Sequence, residues 1–158
     1  MTFRDGPIDG VIWKPLTFFR DQRGWLCEFY RHDELPAESH PVMAYMSMTQ
    51  PGVARGPHEH VDQADYFCFI GPSDFKVYLW DARPKSRTYG NRQVRVAGEA
   101  APFGLVVPAG VVHAYKNVGQ GPGIVFNAAN RLYKGWGRTE SVDEIRHEEK
   151  EGSPYRLD

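Results

Sequence analysis

Arg55-Gly56-Pro57-His58-Glu59-His60, answered farther along by Pro108-Ala109-Gly110-Val111-Val112-His113, is the pair of segments that decides the fold. The first is an H-x-H run followed, after four residues, by a carboxylate at Asp65. The second is P-x-G-x-x-H-x-x-x-N, completed by Asn117. Side chains two apart on a strand share a face, so these spacings aim three histidines into the mouth of a small β-barrel.

The chain around them is patterned as many short strands. Val11 to Trp13, Trp25 to Cys27, Tyr45 to Met48, Tyr66 to Ile70, Phe75 to Trp80, Leu105 to Val107 and Ile124 to Asn127 each read as a strand between Gly, Pro or Asp. A recurrence of about ten residues with turn residues between argues for an antiparallel sandwich or barrel. Phe75, Val77 and Leu79 alternate onto one face. Tyr66 to Ile70 is apolar throughout, as in a strand covered on both sides. Helical periodicity is scarce. Its best candidate is Val142 to Lys150, with Ser141 as N-cap and Glu144 three residues on. The charged last stretch either wraps the barrel or frays.

With 158 residues the chain reads as one domain, able to bury a core. A net charge of −1 gives no reason to expect nucleic acid or an anionic membrane as partner. Met1 to Asp9 is polar without an apolar core, so no signal peptide is expected, and no apolar run reaches membrane-spanning length. Cys27 and Cys68 lack metal or redox spacing and read as reduced thiols of a cytoplasmic protein. His32, His40 and His147 lie in polar stretches and carry no chemistry, and Glu148 to Glu151 reads as a solvated surface.

The paired motifs resemble those of the cupin barrel, and further residues narrow the resemblance. Asp21-Gln22-Arg23-Gly24-Trp25 with Glu28, Gly52 to His58, Gln63, Asp81-Ala82-Arg83, Ser86 to Gly90 and Pro108 to His113 stand in the order of the dTDP-4-dehydrorhamnose 3,5-epimerase (RmlC-like) family. The resemblance runs from about residue 10 to residue 135 and is to the shorter, epimerase-like branch. It implies an all-β fold, a cupin double-stranded β-helix or jelly-roll barrel, with a short helical or irregular C-terminal segment. It also implies a homodimer in the cytoplasm, a nucleotide-linked sugar as substrate, a place in polysaccharide biosynthesis, and no cofactor.

The reaction implied is proton abstraction beside the ketone of a dTDP-4-keto-6-deoxy sugar. His58 matches the base, and Asp65 and His113 complete the implied catalytic set. Arg55 matches a diphosphate-binding arginine, a task suited to a guanidinium fork. Arg23 and Glu28 match residues that reach the nucleotide, commonly from a neighbouring subunit. His60, Gln63, Tyr115 and Phe126 are the remaining implied substrate contacts. Asp143 and Asp158 are the candidates for a C-terminal aspartate that orients the base.

Departures from the family pattern shape the expectation. Asp65 stands where the family has an enolate-stabilising lysine, and Phe126 where it has an acidic tyrosine. Met43 and Tyr45 stand where it has glutamine and asparagine. A carboxylate repels a developing enolate oxygen and a phenyl ring gives no proton, so epimerisation at one carbon or movement of the ketone are the variants left. The related 3,4-ketoisomerases carry a similar R-G-x-H-x-H run.

Two other classes use the same residues. His58, His60, Asp65 and His113 also fill the four ligand positions of a metal-binding cupin, which would take one divalent transition metal. A non-catalytic sugar-nucleotide binder would keep the barrel and lose the acid. Each residue has a structural alternative as well: His113 closing the barrel floor, Asp65 capping a turn or pairing with an arginine, Asp81 to Gly90 building a strand end, and Tyr66, Tyr115, Phe126 and Trp80 filling core.

Overall fold

The computed structural model describes residues 2–158. Thirteen strands and three single-turn 3₁₀ helices make up its regular structure, with no α-helix among the described residues. The strands are β1 (Arg4–Asp5), β2 (Ile12–Pro15), β3 (Phe18–Asp21), β4 (Gly24–Cys27), β5 (Met43–Thr49), β6 (Ala54–Glu59), β7 (Asp65–Phe69), β8 (Asp74–Asp81), β9 (Asn91–Gly98), β10 (Phe103–Val107), β11 (Val111–Asn117), β12 (Gly123–Ala129) and β13 (Ile145–Arg146). One sheet runs β1-β9-β8-β11-β6-β13, the facing one runs β2-β10-β7-β12-β5, and β3 with β4 forms a separate hairpin. Every pairing is antiparallel except the short contact of β1 with β9. The all-β jelly-roll expectation holds.

Strand alternation sorts the side chains. Phe75, Val77 and Leu79 of β8, Phe67 and Phe69 of β7, and Val111 and Tyr115 of β11 meet in one buried cluster. Phe69, Phe75 and Tyr115 touch edge-to-face or tilted at 5.6 to 5.8 Å between centroids, arrangements that add to the hydrophobic gain of about 1.5–3 kcal/mol per buried ring. The opposite faces are covered too. Tyr66 and Cys68 lie under Phe29, Tyr30, Leu35 and Phe126, and Tyr78 and Trp80 lie under Phe3, Tyr155 and Leu157. This double cover explains the uninterrupted apolar run of β7.

The chain's end wraps the barrel. Tyr155 packs on Trp80 and His147, the Tyr78 hydroxyl donates to the Asp158 carbonyl at 3.0 Å, and Lys76 pairs with the Asp158 carboxylate at 2.6 Å. The helix expected over 142–150 does not form. Ile145–Arg146 instead pairs with His58 and Glu59 at the edge of β6, and the amides of His147 and Glu148 both donate to the Pro57 carbonyl. An exposed strand edge offers a row of unpaired backbone groups, whereas a helix here would have only Val142 and Ile145 to bury. The edge wins over the local capping signal.

The Asp81 to Gly90 segment is a strand end and its turn. Asp81 is fully buried, and its carboxylate accepts from Arg83 Nε (2.9 Å), Arg83 Nη2 (3.0 Å), Ser86 Oγ (2.6 Å) and Thr88 Oγ1 (2.6 Å). Burial alone would raise its pKa; these donors outweigh burial and bring it from the ordinary 3.8 down to about 2. A depressed carboxyl contributes stability that is present above the ordinary value and lost as pH falls through the folded one. Asp81→Asn is therefore expected to cost about 2 kcal/mol near neutral pH. Urea unfolding of both proteins from pH 6 downward should show that gap closing between about pH 4 and 2; a gap independent of pH would refute the account.

Candidate active site

Two strands and one turn bring the histidines together. β6 and β11 pair so that His58 faces His113, with a register shift before the Tyr115–Arg55 pair. His58 and His60, two residues apart, both line a cavity of about 970 Å³, while Glu59 between them points away to bond His147 Nε2 at 2.8 Å. One ring nitrogen from each of His58, His60 and His113 lies within 4.8 Å of the others. Asp65 enters from the start of β7, on the same inward face as Phe67, and is 1% exposed.

Asp65 is half satisfied. Its Oδ1 accepts from Gln63 Nε2 at 2.9 Å and from Asn127 Nδ2 at 3.0 Å. Its Oδ2 faces His60 Nε2 at 3.2 Å and His113 Nε2 at 3.6 Å. Burial pushes the carboxyl up, but the His60 contact and the neighbouring imidazoles outweigh it and hold the group below its ordinary range. His60 shows the reciprocal effect: burial lowers it, and the Asp65 carboxylate with the Asp143 carbonyl raises it to about 9. Burial, joined by His113 and His60, drives His58 down to about 2, so its imidazole is neutral with a lone pair available. Burial likewise lowers His113.

The C-terminal return supplies residues that local sequence signals did not reveal. The Asp143 carboxylate accepts the amides of Val61 (2.7 Å), Asp62 (2.9 Å) and Gln63 (2.9 Å), fixing the turn after His60, and its carbonyl accepts from His60 Nδ1. Glu144 Oε1 lies 4.0 Å from His58 Nε2. The carboxylate beside His58 is thus Glu144, not Asp143, which holds the turn, nor Asp158, which binds Lys76 and Tyr78. Tyr133, Arg131 and Arg138 also line the cavity. Only their place beyond β12, level with the returning segment, could have flagged them.

The other expected residues fall on both sides. Arg55, Gln63, Tyr115, Met43 and Tyr45 line the cavity. Arg55 donates to Thr49 Oγ1 and the Met48 carbonyl, and Tyr115 shares a 2.9 Å hydrogen bond with Ser47. Phe126 does not reach the cavity. The two-residue period turns Val125 and Asn127 inward, so Phe126 points outward and stacks on Phe29 at 5.3 Å. Tyr66 and Trp80 also face outward, into the covering layers. Arg23 and Glu28 lie outside the cavity of their own chain: Arg23, on the β3–β4 turn, pairs with Asp21, and Glu28 with Arg31.

A family model described as dTDP-4-dehydrorhamnose 3,5-epimerase matches residues 5–139. The chain is 38% identical over 115 residues to the spore coat polysaccharide biosynthesis protein SpsL of Bacillus subtilis, covering 73% of this chain and 75% of that protein. It is 37% identical over 128 residues to a Haloferax volcanii protein named Probable low-salt glycan biosynthesis epimerase Agl13, covering 80% of this chain and 81% of the relative. The crystal structure of a dTDP sugar isomerase from Desulfovibrio desulfuricans G20 superposes with a TM-score of 0.80 at 20% identity, over 94% of this chain and 88% of that one. That likeness concerns the fold.

One glycine sets the approach of β6 to β11. Gly56 has φ +78°, and a Cβ there would sit 2.5 Å from the His113 carbonyl oxygen and 3.0 Å from His58 Nδ1. Gly56→Ala is expected to lose about 2 kcal/mol or more in chemical denaturation, because the left-handed backbone and the backbone contact both oppose it. A change within about 0.5 kcal/mol, the range of an inconsequential surface substitution, would contradict this.

Proposed function

Because the chain belongs to the dTDP-4-dehydrorhamnose 3,5-epimerase family, a family of isomerases, we propose that it moves a proton beside the ketone of a dTDP-4-keto-6-deoxy sugar, with His58 as the base. The observation that carries this reading is the neutral, cavity-lining His58 with Glu144 at 4.0 Å. A neutral imidazole accepts the proton, and the carboxylate stabilises the imidazolium that results. The cavity, about 970 Å³, is large enough for a sugar nucleotide. Arg55, Arg131 and Arg138 give its wall the cationic forks that suit a diphosphate.

The proton must return on the other face of the sugar. Tyr115 is engaged with Ser47, and Tyr45 is held by Asn127 though it keeps its O–H proton; Tyr133, whose hydroxyl has no hydrogen-bond partner among the described residues, is the cavity phenol taken for that step. His113 and Asp65, deeper in the floor, position His60 and the base.

The working form in this reading is a cytoplasmic homodimer. Two free cysteines suit a reducing compartment. Phe19, Trp25 and Leu26 of the β3–β4 hairpin are 60, 51 and 63% exposed, and Met46 and Met48 of the edge strand β5 are 63 and 57% exposed. Apolar side chains so placed suit burial against a second copy, with Arg23 and Glu28 carried toward the partner's nucleotide.

Solvent-deuterium exchange into dTDP-4-keto-6-deoxyglucose tests the assignment. His58→Ala is expected to keep the fold and slow exchange by about 10²–10⁴-fold; exchange at the wild-type rate would sink it. Tyr133→Phe is expected to retain exchange while epimer formation falls, because the proton is still removed but no longer returned on the opposite face. Unaltered epimer formation would take Tyr133 out of the mechanism.

A further inference from the structure

Two imidazole nitrogens and a carboxylate oxygen converge on the cavity floor, where the nearest amide donor, Gln63 Nε2, lies 3.3 Å from His60 Nε2. His113 Nδ1 lies 3.0 Å from the Val111 carbonyl, and His60 Nδ1 bonds the Asp143 carbonyl. A neutral imidazole has one N–H, and a carbonyl can only accept. In its neutral form each ring therefore commits its proton at Nδ1 and turns an Nε2 lone pair toward Asp65 Oδ2, at 3.2 Å from His60 and 3.6 Å from His113. Asp65 Oδ2 and His113 Nε2 are buried and have no hydrogen-bond partner among the described residues. Leaving each such atom unpaired costs about 1–3 kcal/mol. Asn127 is spent on the other carboxylate oxygen, and Gln63 Nε2 divides between that oxygen and His60 Nε2.

The spacing suits a metal ion. Ligand atoms about 2.0–2.2 Å from one metal stand about 3 Å apart when mutually at right angles. Tetrahedral angles widen that to about 3.4 Å, and the separations from Asp65 Oδ2 are 3.2 and 3.6 Å. Carbonyls behind both imidazoles are the usual outer support of a ligating histidine, fixing tautomer and ring orientation. Two imidazoles and a carboxylate favour Zn, Mn, Fe, Co or Ni over the all-oxygen preference of Mg and Ca.

We infer that His60 Nε2, His113 Nε2 and Asp65 Oδ2 form a site for one divalent transition-metal ion, with His58 left beside its open positions. A divalent ion there supplies positive charge next to a developing enolate oxygen, which the Asp65 carboxylate alone would repel. The site rests on geometry alone and stands apart from the choice of substrate. The competing occupant of the same space is a proton on His60 Nε2.

Loading with Co²⁺ alone separates the two. Protein purified without chelator, on a tag that binds no metal, is expected to take up one equivalent with visible d–d absorption and a saturable rise in melting temperature. Asp65→Asn and His60→Gln are each expected to weaken uptake by about 100-fold or more, whereas His58→Ala retains it. Near-ultraviolet circular dichroism checks each fold; should Asp65→Asn not fold, the half-buried His60→Gln decides. Absence of saturable uptake by the wild-type protein means that a proton holds the space, and overturns the site. Uptake unchanged in His60→Gln, or lost in His58→Ala, overturns the ligand assignment.

Discussion

A carboxylate buried to 1% exposure is the constraint around which the cavity floor is organised. An ionised group in the interior must find donors or opposite charge, since its desolvation cost is several kcal/mol. Asp65 meets half of that need with two amide donors on one oxygen and sets the other before two imidazoles. Each partner is fixed from elsewhere: Asn127 by Tyr45, His113 by the backbone of its own strand, and His60 by the C-terminal return. The electrostatics of the floor thus tie β6, β7, β11 and β12 to a segment outside the main sheets.

That dependence also explains the division between His58 and His60. Two imidazoles two residues apart, at the end of one strand and just past it, would ordinarily titrate alike. Here one stands against a carboxylate and a carbonyl and is raised, while the other is buried beside its two neighbours and is lowered. Environment alone has pushed the two imidazoles in opposite directions, the pattern from which acid–base roles are assigned.

Much of the barrel was legible because strand period is a local signal. The alternation of Phe75, Val77 and Leu79, the double-sided apolar run of β7, and the spacing of His58, His60 and His113 all foretold their placement. Asp81, Arg83, Ser86 and Thr88 were legible as a strand end because short polar side chains around one carboxylate make a turn. β9, with Arg92 and Arg95 among its valines, carried too weak an apolar signal to be read. The helix over 142–150 was misread because Ser141 and Glu144 mimic a capping box, while the force that straightens the segment is the unpaired edge of β6. Glu144 was hidden for the same reason: its neighbour His58 lies 86 positions away in sequence, and no local pattern carries that contact. Phe126 was placed in the cavity by resemblance, whereas counting inward from Val125 would have put it outside.

The returning strand has a consequence for how such a protein can change over generations. The family match ends at residue 139, and the carboxylates that hold the His60 turn and stand beside His58 come at 143 and 144. They directly precede a two-residue strand at the rim of a sheet, and no residue of the tail belongs to the main buried cluster. Insertion, loss or exchange of that tail would retune the histidines while the main buried cluster kept its own packing. The tail meets the scaffold along the edge of β6, at the turn after His60 and over Tyr78 and Trp80 of β8.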